Sequence, residues 1–320
     1  MPDASNQKAA PPPIDIQRLK DKARSLRLDV LDITTHARSG HPSSSFSSVE
    51  IVTALYFGGV LRYKSDDPHW PERDRFIMSK GHAAPLLYAA LAAAGYFSRE
   101  QLYRLRQVDS PMQGHPVEGK VPGVETTTGS LGKGISVGLG HVLGGRLNRL
   151  DYHIYVLLGD GECEEGQIWE AAMAAAHFKA SNLIAIVDYN KYQETGPISR
   201  EMALEPFVQK WQAFGWYVEE VDGHDVGALV EALRSLSAPA LTPAPALTPA
   251  PSPDFGRGEA WTGHRGRVKH GVRAVGQPSV LIAHTVKGKG VSFVEADYTF
   301  HGRALTSEQA EKAREEILCS

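Results

Sequence analysis

Apolar positions Ile16, Leu19, Ala23, Leu26, Val30, Ile33 and Ala37 recur at steps of three and four, which places them on one face of a long first helix. Gly40 stops that helix and Pro42 follows it. Ser47, with Glu50 three residues later, predicts a capped second helix. Arg75 to Met78 predicts a short strand leading into Ser79-Lys80-Gly81-His82, and Ala83 to Ala94 the next helix. Ser98 with Gln101 repeats the capping signature. Glycine propensity alone would make residues 129 to 145 a loop. Because small residues let a helix approach its neighbour closely, Gly134, Gly138 and Gly145 predict instead a buried helix beginning near Gly132.

The β-branched and aliphatic run Ile154 to Leu158 predicts a buried strand ending on Gly159-Asp160-Gly161. An alanine-rich helix from Glu164 to Lys179 follows, then a second strand, Leu183 to Val187, that delivers Asp188, Tyr189 and Asn190. That is one βαβ unit. Beyond it come a helix near Pro206 to Phe214, a strand Tyr217 to Val221, a helix Asp225 to Leu236 and a strand Ser279 to His284. Thr306 with Gln309 caps a final amphipathic helix, within 306–320. The order predicts an α/β fold with a parallel sheet flanked by helices, one domain over residues 14–305.

Two segments break the pattern. Residues 1–13 read as a disordered extension. Residues 237–253 repeat Ala, Pro, Leu and Thr and cannot bury enough surface to offset their ordering entropy, so an insertion is expected at about 237–277. Its basic part, 257–273, carries His264, Arg265, Arg267, Lys269 and His270; a solvated loop is the reading preferred to a nucleic-acid contact.

Composition narrows the classes further. Lys plus Arg number 34 against 37 for Asp plus Glu, a formal charge of −3, which gives no global argument for nucleic acid or an anionic membrane. Only two cysteines occur, Cys163 and Cys319, too few for a disulfide framework, and a cytoplasmic location is expected. No apolar run approaches the ~18 residues of a membrane span, and residues 1–13 lack the core of a signal peptide.

The chemistry concentrates in the βαβ unit. A right-handed crossover lays its strands parallel, so Asp160 and Asn190, 30 residues apart in the chain, emerge as neighbours on one sheet edge. The intervening helix aims its unpaired N–H groups at the same place, a setting for phosphate. A carboxylate, an amide oxygen and a carbonyl from the next loop are hard ligands that suit magnesium shared with phosphate oxygens. Gly159 and Gly161 are expected to let backbone approach those phosphates. Gly-Asp-Gly alone occurs in many loops; with strand, helix, strand and Asn in register it resembles the thiamine diphosphate motif.

Ser39-Gly40-His41-Pro42, Ser79 to Ala83, Gly114-His115-Pro116, Val124 to Gly134, Gly159 to Asn190, Ile282 to Gly290 and His301-Gly302 together resemble transketolase, in the order that family uses. The resemblance covers about residues 15 to 305 apart from the Pro-rich insert, and implies the diphosphate-binding (PP-type) domain of the fold. It reaches only the amino-terminal half of a full-length transketolase. The implied protein is therefore the N-terminal subunit of a split enzyme, whose partner chain supplies the pyrimidine domain in an α2β2 heterotetramer.

The resemblance also implies roles. Asp160 and Asn190 hold the metal through side chains and Tyr192 through its carbonyl; Mg2+ is the implied ion, with Ca2+ or Mn2+ as substitutes. Gly159 and Gly161 lie at the thiamine diphosphate, and Gly129 and Leu131 flank its heterocycles. His41 and His301 relay protons, His115 holds the hydroxyl of the transferred two-carbon unit, and His82 lies against diphosphate and substrate. Imidazole suits such alternating proton transfer near neutral pH. His284 is a weaker candidate for the cofactor pocket. Glu165 and Glu170 are implied at a subunit interface linking two active sites. Glu162 is taken as solvated, and His36, His69, His141, His153, His177 and His224 receive no role. The substrate is a sugar phosphate or a related small molecule.

Three other readings compete. The α chain of a 2-oxoacid dehydrogenase likewise pairs with a pyrimidine-domain chain but lacks this set of Gly-His-Pro and Ser-Lys-Gly-His motifs. Deoxyxylulose phosphate synthase is more distant, since it carries both domains in one chain. A non-catalytic thiamine-binding subunit has no need of four motif histidines.

Overall fold

The computed structural model describes residues 14–240 and 266–319. The expected extension at 1–13 and most of the Pro-rich insertion, including His264 and Arg265, lie outside the described residues. Among the described residues six strands form one sheet in the order β1-β2-β3-β6-β4-β5. They are β1 (Arg75–Met78), β2 (Ile154–Gly159), β3 (Leu183–Tyr189), β4 (Tyr217–Asp222), β5 (Arg267–His270) and β6 (Ser279–His284). All neighbours run parallel except β4 and β5.

The helices are α1 (Ile16–Ala37), α2 (Pro42–Phe46), α3 (Val49–Phe57), α4 (Ala84–Ala93), α5 (Lys133–Leu147), α6 (Gly166–His177), α7 (Ile198–Glu201), α8 (Phe207–Ala213), α9 (Val226–Ser237) and α10 (Ser307–Cys319). Strand side chains alternate between faces. Tyr155 and Leu157 join a core with residues of α1, α3, α4, α9 and α10. Ile154, Val156 and Leu158 join a second core with residues of α5, α6 and α8. Burial on both faces explains why the strands read as continuous apolar runs rather than alternating ones.

The glycine-rich segment is a helix, as its close-approach spacing predicts. A Cβ at Gly134 would lie 2.3 Å from Ser79 Oγ, and one at Gly145 would lie 2.8 Å from the Tyr152 ring. The cap predicted at Thr306 forms in both directions: its hydroxyl accepts from Gln309 N–H at 3.2 Å, and Gln309 Oε1 accepts from Thr306 N–H at 3.0 Å.

Three expectations fail on tertiary partners. Ser47 caps nothing; α3 starts at Val49, and Ser47 donates to Asp188 Oδ2 at 2.6 Å, while Glu50 pairs with Arg27 at 2.7 Å. Ser98 makes no side-chain cap, and the following segment is a short 3-10 turn, Arg99–Arg104. The basic stretch is no solvated loop where it is described. Arg267–His270 forms the antiparallel edge strand, with Arg267 paired to buried Glu219 and His270 2.7 Å from Glu220. The Arg267 guanidinium there neutralises the Glu219 carboxylate on β4.

Candidate active site

Pairing of Gly159 with Asp188 in the parallel β2–β3 ladder fixes the central geometry. Asp160 follows one residue after this pair and Asn190 two, so both leave the sheet at its carboxyl edge, where α/β folds bind ligands. Lys191 N–H donates to Asp160 Oδ2, and Gly161 N–H donates to Asp160 Oδ1 at 2.8 Å. Asn190 Oδ1 accepts from Tyr192 N–H at 3.0 Å, with a second lone pair to spare. Gly161 is fixed sterically, since a Cβ there would sit 2.9 Å from that of Gln193. A Cβ at Gly159 would have 3.8 Å of room, so nothing in the chain itself demands glycine at that position.

Two buried carboxylates meet here and are treated differently. Asp188 pairs with buried Lys80 and accepts from Ser47, Ser48 and Thr285. Burial opposes its ionisation, but Lys80 and the hydroxyls prevail and hold it at about 2. Among the described residues Asp160 has no such cation within ion-pair distance. Burial, and then the Asp188 charge, push it up to about 7. Among the described residues no cluster of three or more His, Cys, Asp or Glu side chains is arranged to hold a metal. Asp160, the Asn190 amide and main-chain carbonyls at this edge offer a hard-oxygen set whose chemistry fits Mg2+, Ca2+ or Mn2+.

Beside this edge stand the four motif histidines. His41 precedes α2, His82 sits in the 3-10 turn after β1, His115 follows Gly114, and His301 follows the 3-10 turn Tyr298–Phe300. The His41 ring lies 5.2 Å from that of His82, 5.4 Å from His301 and 6.4 Å from His115, and His82 lies 5.2 Å from His301. Burial, with Arg106 next in weight, takes His41 down to about 4. Burial and then Lys287 take His301 to about 3, and burial lowers His82 and His115 too. All four rings are neutral at pH 7, each with one nitrogen to donate and one to accept.

Thr128 ties the next loop to the tip of β1 by donating to Met78 carbonyl at 2.8 Å. Gly129 then packs on His115, where a Cβ would lie 3.0 Å from the ring, and half-buried Leu131 follows. His284 ends β6, 2.6 Å from Glu220 and edge-on to Tyr189 at 5.4 Å. Glu165 and Glu170, at the start of α6, are exposed in the single chain.

Glu162 is not solvated. It is buried, accepts from Ser79 Oγ, and accepts from the N–H groups of Gly132 at 2.9 Å and Gly159 at 3.0 Å. Backbone and hydroxyl donors satisfy it, so it joins the ends of β1, β2 and α5 instead of facing water. Three further residues shape the site without having stood out in the sequence. Lys80 and Lys287 are buried lysines inside the matching motifs, and Lys287 Nζ lies 2.9 Å from His301 Nδ1. His224 accepts from Val286 N–H at 2.8 Å and meets Glu50 at 3.0 Å, which fixes the loop carrying Lys287. A lysine followed by glycine within a motif was the available signal; His224 had none.

Comparison with known proteins places the chain. The family model for the transketolase thiamine diphosphate-binding domain matches residues 18–249. A transketolase from Pongo abelii is 38% identical over 94% of this chain, which spans only 42% of that relative. One of the subunits of an apulose-4-phosphate transketolase, from Phocaeicola vulgatus, is 36% identical, with 95% of each chain covered. The crystal structure of transketolase from Campylobacter jejuni superposes with a TM-score of 0.80 at 29% identity, covering 95% of this chain and 43% of that one. Among the described residues no helix is long and apolar enough to cross a membrane.

Proposed function

The chain belongs to the transketolase family, in its thiamine diphosphate-binding domain, and from that premise we propose that it is one subunit of a two-chain transketolase. The partner chain carries the pyrimidine domain, and two copies of each chain assemble. The reaction moves a two-carbon ketol unit from a ketose phosphate, or a related donor, to an aldose acceptor in the cytoplasm. The observation that carries this reading is the ring of four neutral imidazoles beside the Asp160–Asn190 edge.

Asp160, Asn190 and the Tyr192 carbonyl would hold Mg2+, and Gly159, Gly161 and His82 would receive the diphosphate. Gly129 and Leu131 would flank the heterocycles, and His284, at the tip of β6, would border the pocket. Bound there, thiamine diphosphate supplies the nucleophile and the electron sink for carbon–carbon cleavage. The chain orients substrate and moves protons. His41 and His301, neutral and partly shielded from water, take the proton from a donor hydroxyl and return one to the acceptor carbonyl oxygen. His115 holds a hydroxyl of the two-carbon unit. Glu165 and Glu170, exposed in one chain, meet a second copy and link the two sites.

The test is to purify the chain together with its pyrimidine-domain partner and assay ketol transfer between sugar phosphates, with thiamine diphosphate and Mg2+ present. Transfer that needs both chains and an aldehyde acceptor supports the proposal. Carbon dioxide released from pyruvate without an acceptor would make it a 2-oxoacid dehydrogenase instead. Full activity of the single chain would remove the split-enzyme reading.

A further inference from the structure

Arg106 adopts a left-handed backbone conformation, φ 58°, which a residue with a Cβ keeps only when its surroundings pin it. The pins are visible. Its N–H donates to Met112 carbonyl at 2.8 Å, and its side chain crosses Gly114 so closely that a Cβ there would lie 2.5 Å from Nε. Its Nη1 donates to Ser39 Oγ at 2.8 Å. The guanidinium thus bridges the loop that precedes His41 and the loop that carries His115.

No carboxylate pairs with Arg106 among the described residues. The group is exposed and lines an open cavity of about 440 Å³ together with Ser39, Gln113 and His115, and no acidic side chain contributes to that lining. Both His41 and His115 feel the same charge, second only to burial. An immobilised guanidinium fork with free N–H groups matches a tetrahedral oxyanion in geometry and charge.

We propose that Arg106, braced on Ser39, forms a subsite for the terminal oxyanion, phosphate or sulfonate, of an extended sugar substrate whose reacting carbons lie at His41 and His115. The subsite rests on the ketol-transfer reading, and adds a cation from this chain to those expected in the partner. Its specificity is for charge at the far end of the substrate, beyond the atoms that react.

Arg106→Gln and Arg106→Lys keep a Cβ at the left-handed position, so the backbone strain is unaltered, and far-UV dichroism with the thermal midpoint establishes folding. In the assembled two-chain enzyme, kcat/KM is compared for a phosphorylated ketose, its sulfonated analogue and the uncharged sugar. Arg106→Gln is expected to reduce kcat/KM for the charged substrates at least tenfold more than for the uncharged one, chiefly through KM, with Arg106→Lys recovering part of the loss. The larger loss of the two identifies the preferred oxyanion. Equal losses on all three substrates overturn the subsite. A second readout is independent of turnover: titrating the full chain with inorganic phosphate should shift the Arg106 Nε–H resonance saturably in the wild type and leave no such signal in Arg106→Gln. Absence of any shift in the wild type overturns the subsite even if ketol transfer is confirmed; a saturable shift in an assembly without transfer activity overturns only the reaction.

Discussion

Lys287 Nζ stands 2.9 Å from His301 Nδ1, at the end of a loop that His224 holds through Val286. An ammonium donates here, so Nδ1 must accept and the imidazole proton stays on Nε2. The pair sets which nitrogen His301 offers as a donor. Burial, and then Lys80, bring Lys287 down to about 8, so it is charged below that pH and neutral above it.

The first prediction follows from that sign. Turnover of the assembled enzyme falls as pH rises through about 8, and Lys287→Met removes this alkaline limb while lowering kcat. A pH–rate profile of the two proteins checks it; an unchanged limb in Lys287→Met contradicts it.

Asp160 gives the opposite sign. Without a cation its carboxyl titrates near 7, and a metal must displace that proton. Mg2+ affinity therefore weakens toward about tenfold per pH unit below 7 and levels off above it, with a proton released on binding. Calorimetry in buffers of different ionisation enthalpy reads both quantities, and pH-independent binding between 5.5 and about 7 counts against the assignment.

His41→Ala and His301→Ala separate proton transfer from binding. Each is expected to lower kcat by about 10²- to 10⁴-fold, the usual span for a lost general acid or base. Thiamine diphosphate affinity should change only about fewfold. Equal losses in the two quantities would make these rings structural.

Glu162 tests packing rather than chemistry. Glu162→Ala leaves the Ser79 hydroxyl and two backbone N–H groups without their acceptor, and is expected to cost about 1–3 kcal/mol of stability. Denaturant unfolding measures it, and a loss under about 0.5 kcal/mol would return Glu162 to the solvated role read from the sequence.

The parts legible in the sequence were those with local causes. Strands buried on both faces announce themselves as apolar runs, and the Asp160–Asn190 juxtaposition follows from handedness alone. Gly134 and Gly145 were readable because only glycine fits where a helix touches Ser79 and Tyr152. What failed required knowing a distant partner. Ser47 and Glu50 had the spacing of a cap, but Asp188 and Arg27 claim their side chains. Glu162 looked like surplus charge until donors from β1, β2 and α5 surrounded it. The edge strand at Arg267–His270 looked like a basic loop because its partners, Glu219 and Glu220, lie more than forty residues away.

The most direct test is equilibrium binding of thiamine diphosphate to the two-chain enzyme in the presence of Mn2+, followed by the paramagnetic signal of the ion. One cofactor and one ion should bind per pair of chains, each dependent on the other. Asp160→Ala and Asn190→Ala, folded by dichroism, should each weaken both at least a hundredfold. Undiminished, ion-dependent cofactor binding in both variants would show that these two strand tips do not form the site.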